Sequence, residues 1–291
     1  MAGLQDIRRR IRSVKNTQQV TKAMKMISAV KLRKSQERLV AMRPYAGKLR
    51  DMALSVVSAV QGGDDAEFGP VAMAFTNPRP EKAIRVVAVA SDKGLCGGFN
   101  ANVLKKVQAF VRSKDGVKVT VDTVGKRAND WARKQGHKPV SEHLGVPLAG
   151  LDRVARELAE SAAAQYLAGE IDALYLVYNH FHSAVSQEPT VVRVFPVELP
   201  TAEERPLMIA PLLEPDANTI LEALLPRYLE VTLLRGLLES SASEHGARMA
   251  SMDKASNNAG EMIAKLTLTM NKIRQASITN QIIEIVSGAN A

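Results

Sequence analysis

The turn SDKGLCGGFN, residues 91–100, joins an apolar run at residues 83–90 to a helical pattern at 102–112. It carries three glycines, Gly94, Gly97 and Gly98. A glycine-rich turn between a strand and a helix suggests phosphate binding, because bare backbone N–H groups can approach an anion closely. The spacing matches neither GxGxxG nor GxxxxGK[ST], and the acid that follows, Asp122, falls inside a strand rather than at its end. These glycines are therefore read as turn residues that permit close backbone approach and positive φ. His180 and His182 lie two apart and could share a strand face toward a metal, but no Cys or carboxylate cluster completes a ligand set. They read as an exposed pair on a hairpin. Cys96, the one cysteine, has no His/Asn arrangement around it and reads as a small buried residue in a chain without an intrachain disulfide. Ser240, Ser241 and Ser243 stand in a helical pattern with no GxSxG elbow. No catalytic, cofactor-binding or metal-ligating set emerges from these residue types.

The elements around those residues alternate strand and helix. Strands are expected at residues 83–90, 117–124, 171–179 and 190–198, the last two linked through residues 180–189. Helices are expected at 102–112, around Trp131, and at 151–167. Alternation of this kind predicts a mostly parallel, Rossmann-like α/β domain, with room for an antiparallel edge. Ten of the twelve aromatic residues lie between 61 and 226, where such a core would sit.

The two ends of the chain differ in character. Residues 4–43 contain neither Gly nor Pro, and Leu4, Ile7, Ile11 and Val14 form a narrow apolar seam. The seam is expected to resume at Val20, Met24, Ile27 and Val30, the step from 14 to 20 breaking the heptad. Pro44 is placed to bend or interrupt this helix, which resumes and ends near Gly62 and Gly63. After Pro226, residues 227–287 contain no further proline, with seams at Leu229, Leu233, Leu237 and at Met262, Leu266, Met270, Ile273. Sixty-one helical residues would span about 90 Å. Neither helix can bury its stripe alone, so the pair is expected to form a long antiparallel coiled coil; separate helical bundles are the alternative. The expected divisions are a coiled-coil helix at 1–62, an α/β domain at 81–200 and a second coiled-coil helix at 216–291, with linkers at 62–80 and 199–215.

Charge follows the same division. The chain carries a net +9, yet residues 1–60 hold fourteen Lys/Arg against only Asp6, Glu37 and Asp51, so the basic excess lies entirely in that first segment. A basic helix suits nucleic acid, anionic lipid or an acidic protein surface. Residues 1–43 have no aromatic for base stacking and no zinc-finger, RRM or basic-zipper pattern. A basic coiled-coil nucleic-acid binder stays open as one alternative, and a dinucleotide-dependent enzyme using the Gly94 turn as another. No apolar run approaches a membrane span, no secretory leader is evident, and the single cysteine suits a reducing compartment.

Three strings resemble the gamma subunit of F-type ATP synthases. They are NTQQVTKAMKMISAVKLRKSQ with RPYA (residues 16–36 and 43–46), DKGLCGGFN, and ARMASMDKASNNA continuing into NKIRQASITNQIIEIVSGA (residues 247–259 and 271–289). They cover roughly a third of the chain in the family's order, the last being the most specific, while residues 110–245 match mainly in organisation. The resemblance implies a non-catalytic rotor subunit of the central stalk. Its paired terminal helices would enter a ring of three alpha and three beta subunits, and its α/β domain would meet the epsilon subunit and the c-ring. It further implies coupling roles toward beta for Met24, Lys25, Arg248, Arg274, Gln275 and Thr279. Ile282, Ile283, Ile285 and Val286 would form an apolar bearing tip. Gln281 stands where the family usually carries Glu. No cofactor is implied, and the location implied is peripheral, on the cytoplasmic face of a bacterial inner membrane.

Overall fold

The computed structural model describes residues 3–61, 79–196, 214 and 216–289. The two expected linkers fall almost wholly outside them. In chain order the elements are α1 (Leu4–Gln61), β1 (Ala83–Val89), α2 (Phe99–Ser113), β2 (Lys118–Val124), α3 (Lys126–Lys134), β3 (Glu142–His143), α4 (Leu151–Leu167), β4 (Ala173–Phe181), β5 (Gln187–Phe195) and α5 (Ala217–Ala289). They divide into a sheet unit, Lys31–Ala247, and a helical unit of Met1–Val30 with Arg248–Ala291.

In the sheet unit the strand order is β3-β2-β1-β4-β5, parallel throughout except for β5, which runs antiparallel to β4 at the edge. The central strands read as continuous apolar runs because both faces are covered. On one face, Ile84, Val86, Ala88 and Val177 pack under α2 and α3 through Val103, Val107 and Ala128. On the other, Val87, Val89, Leu174 and Leu176 pack against α4, against Leu39 of α1 and against Leu229, Leu233 and Leu237 of α5. The edge hairpin is tighter than expected: β4 continues to Phe181 and β5 begins at Gln187, which also brings Pro189 into an edge strand, where a missing N–H is tolerated. The two-residue β3 has too little pattern to be read from sequence.

Arg85 interrupts the apolar run of β1 and is nonetheless buried. It binds the equally buried Asp122 of β2 through two nitrogens, Nε to Oδ2 at 2.6 Å and Nη2 to Oδ1 at 2.9 Å. Its remaining nitrogen donates to Ser161 and Gln165 of α4, and the Ser141 hydroxyl donates to Asp122. A buried guanidinium is tolerable here because each of its directions is met.

α1 is one helix through Pro44. Packing on both sides of the proline explains why it does not stop there: Leu39 lies in the core beside the sheet, and Ala46 and Leu49 pack with Leu221, Leu224 and Val231 of α5. Nor does Pro226 open the last helix. α5 begins at Ala217, where Asp216 accepts from the Thr219 N–H and hydroxyl at 2.9 and 2.7 Å, an N-cap arrangement.

The two long helices run antiparallel. In the helical unit Gln18 meets Ser256 and Lys25 meets Asp253, so position rises on α1 as it falls on α5. The shielded positions of α1 there include Leu4, Ile7, Ile11, Val14, Gln18, Thr21, Lys25 and Ser28, with Met24 and Ala29 half-buried beside them. The steps of that series from Leu4 to Ser28 alternate strictly between three and four, so the heptad is unbroken. This corrects the expected seam. Val20, Ile27 and Val30 are 58%, 57% and 57% exposed, and only Met24 of that set is half-buried. Two of the polar seam side chains, Gln18 and Lys25, meet partners on α5, and Thr21 donates to the Gln18 carbonyl of its own helix, while Val20, Ile27 and Val30 are left outside. On α5, Met262 is likewise exposed and Ile263 takes the shielded place.

Candidate functional site

The sheet unit holds the glycine-rich turn at the carboxyl end of β1. In a doubly wound sheet, ligands bind outside the carboxyl ends of strands where the order reverses, here between β1 and β4. That crevice is filled by the protein's own chain. Cys96 and Phe99 pack against Ala247 of α5, Asn179 of β4 donates to the Phe99 carbonyl, and the Ser243 hydroxyl donates to the Asn179 carbonyl at 2.9 Å. The turn is also bound to itself. The Ser91 hydroxyl donates to the Lys93 carbonyl at 2.6 Å, the Ser91 N–H to Asn100 Oδ1, and Asn100 Nδ2 to Cys96 Sγ. Of the three glycines only Gly97 has positive φ, and the other left-handed residue is Leu95, at φ 64°. Asp122 is spent on Arg85.

The His pair has a structural setting. Glu239, buried on α5, meets His180 Nδ1 at 2.5 Å and accepts from Arg235 at 2.9 Å, while His182 meets Glu188 at 3.1 Å. Burial, and then the neighbouring Glu239 carboxylate, push the Tyr178 hydroxyl well above its usual pKa. Among the described residues, no three His, Cys, Asp or Glu side chains are grouped as a metal ion would need. Ser35, at a seam position of α1, pairs with Ser241 at 3.1 Å.

The helical unit carries the residues expected to act on partners, and places them in three settings. Met24 and Lys25 flank and occupy the seam, Lys25 Nζ lying 2.6 Å from Asp253 Oδ1. Arg248 is buried on α5. Arg274, Gln275 and Thr279 are exposed, as are Ile282, Ile283, Ile285 and Val286, the isoleucine at 285 by 71%. Every residue of α5 from Arg274 to Gly288 is exposed, with Ile278 adding to the apolar set. Sixteen residues, 274–289, extend α5 by about 24 Å at the α-helical rise. The exposed large apolar side chains of this segment are Ile278, Ile282, Ile283, Ile285 and Val286. Sequence reading missed Gln18, whose amide Nε2 donates to the Ser256 carbonyl at 3.2 Å. The signal was available in the 14–18–21–25 spacing, but polarity hid it.

The fold thus defines a class: a Rossmann-like sheet unit whose usual ligand crevice is filled by one of two long antiparallel helices. The family model described as ATP synthase matches residues 3–291. The ATP synthase gamma chain of Solibacter usitatus is 46% identical over 291 residues, covering 100% of this chain and 99% of the relative. That of Desulforamulus reducens is 42% identical with the same coverage. The chain belongs to the ATP synthase gamma-chain family, and is a non-catalytic stalk subunit. Among solved structures, the central stalk and c-ring of Tetrahymena thermophila mitochondrial ATP synthase matches with TM-score 0.59 and 24% identity, covering 81% of this chain and 99% of that one. A mitochondrial ATP synthase chain from Euglena gracilis, in an OSCP/F1/c-ring assembly, matches with TM-score 0.63 and 17% identity, covering 99% and 94%. Those two likenesses support the fold. The nucleic-acid reading of the basic helix gains no support from any of them. No helix among the described residues is long and apolar enough to cross a membrane.

Proposed function

We propose that this chain is the rotor shaft of an F-type ATP synthase, carrying torque between a proton-driven c-ring and a ring of three alpha and three beta subunits. The observation that carries the reading is the exposed last segment of α5, residues 274–288, in a chain matched end to end by gamma chains. An apolar segment with polar shoulders suits a collar of partner subunits, and the exposed strip of Val20, Ile27 and Val30 suits a surrounding wall. Unlike faces on one shaft bias otherwise identical subunits differently, which is what coupling between states requires.

In this reading Ile282, Ile283, Ile285 and Val286 form the bearing tip, and Arg274, Gln275 and Thr279 contact a beta-subunit catch region. Met24, Lys25 and Arg248 lie where the shaft nears acidic loops of beta. The sheet unit meets the epsilon subunit and the c-ring, and the protein sits peripherally on the cytoplasmic face of a bacterial inner membrane. The chain binds no nucleotide of its own; the partners do.

The test is native mass of the full chain mixed with matching alpha and beta subunits, with ATPase assayed on the same fractions. One copy joining a three-plus-three ring, with turnover dependent on it, is the expected result. A competent ring that excludes the chain overturns the proposal.

A further inference from the structure

The hairpin of β4 and β5 carries two imidazoles that the sheet core does not use. His180, near the end of β4, and His182, just past it, stand two residues apart with their ring centres 4.7 Å from each other. Two imidazoles bound at about 2.1 Å to one tetrahedral zinc ion hold their ring centres about 5 Å apart. The pair is thus spaced as a chelate.

Each ring is also oriented by a carboxylate. His180 Nδ1 lies 2.5 Å from Glu239, a buried side chain of α5 that accepts from Arg235 as well. His182 Nε2 lies 3.1 Å from Glu188, which stands directly across the ladder from His180. A carboxylate accepts, so each neutral ring gives its one hydrogen to its carboxylate and keeps a lone pair on the other nitrogen, Nε2 of His180 and Nδ1 of His182. Metal-ligating histidines are held in this way, the second nitrogen donating to a carboxylate. The turn beneath the rings is fixed: the Ser183 N–H donates to the Ser186 carbonyl, and the Gln187 amide to the Ser183 and Ala184 carbonyls. Solvent reaches both imidazoles, whose side chains are 33% and 48% exposed. Among the described residues no third His, Cys, Asp or Glu completes a closed cage. Solvent therefore fills the remaining positions, and a bound ion exchanges. Imidazole donors suit zinc, copper and nickel rather than magnesium or calcium.

We propose that His180 and His182 form an exchangeable site for a divalent transition cation of the zinc class, oriented by Glu239 and Glu188. The site does not depend on the rotor reading.

The experiment titrates the full chain, free of any affinity tag, with Zn2+ alone by calorimetry. One ion per chain is expected, with no competition from Mg2+ and a melting temperature that rises with Zn2+ concentration. His180→Gln and His182→Gln each abolish the heat, whereas His137→Gln, at a ring stacked on Trp131, keeps it. Glu239→Gln weakens binding about 10- to 100-fold, as loss of a ligand-orienting carboxylate predicts. The proposal is overturned by no saturable heat in the parent, by heat that survives both histidine changes, or by equal loss in His137→Gln. Should His180→Gln or Glu239→Gln melt below the parent without metal, His182→Gln decides: zinc bound as in the parent overturns the site, and lost binding in a chain of parental stability sustains it.

Discussion

Lys25 of α1 and Asp253 of α5 face each other at 2.6 Å across the helix pair, each a little under half exposed. A residue expected to act on a partner thus already has a partner within its own chain. Exposed pairs of this kind contribute about 0–1 kcal/mol. Asp253→Asn should therefore shift the chain's urea midpoint only slightly, and the slope not at all. A loss of several kcal/mol would mean that the pair holds the helices together instead of standing free to exchange partners.

Arg85 and Asp122 are the opposite case, because neither can reach water. Asp122→Asn leaves a buried guanidinium without its counter-charge and should cost about 3–5 kcal/mol. Chemical denaturation of the full chain reads this directly. Replacing both residues by Met and Leu should cost much less than the single change, since no lone charge remains.

Gly125 has φ +90°, and an added Cβ would lie 2.1 Å from the Ala90 carbonyl oxygen. Gly125→Ala should destabilise by about 3 kcal/mol or more, through both backbone strain and displacement of β1 from the start of α3. Thermal unfolding of the variant against Gly116→Ala, also at positive φ but in open space, separates the two contributions.

His143 responds to pH. Burial pulls its pKa below the usual histidine value, against the opposing pull of Glu157 and Asp122. The folded chain therefore binds this proton less readily than the unfolded chain does. Stability from this source is complete above about pH 6.5 and declines as pH falls through the interval below it. In His143→Gln the part of the acid loss that begins near pH 6.5 should be missing; an unchanged pH profile would count against the assignment.

Gln275→Leu, and separately Ile282→Ala with Ile285→Ala, alter exposed side chains on the last segment of α5. Each should leave the melting of the free chain within about 0.5 kcal/mol of the parent and yet lower ATPase turnover in the reconstituted ring. Arg248→Glu, at a buried position, should lower turnover with helix content retained. Collapse of the helix signal in any of them would remove the residue from the coupling set.

Much of this architecture was legible because periodicity is local. The run at residues 83–90 declares its strand through an unbroken apolar stretch, and the helix at 151–167 and the seam of Leu229, Leu233 and Leu237 through burial that recurs at the helical period. The family strings at residues 16–36 and 271–289 carried the identity in the same way. Tertiary structure decided what depends on a partner. Gln18 and Lys25 sit in the seam because Ser256, Gly260 and Asp253 come opposite them, while Val20, Ile27 and Val30 stay outside. Arg85 can sit inside an apolar strand only because Asp122, Ser161 and Gln165 converge on it from two other elements. Pro44 and Pro226 are spanned, although each is a helix breaker by local propensity, because the packing around them outweighs one missing hydrogen bond. Local pattern reveals where apolar groups recur; whether a polar group is satisfied in the interior is settled by residues far away in the chain.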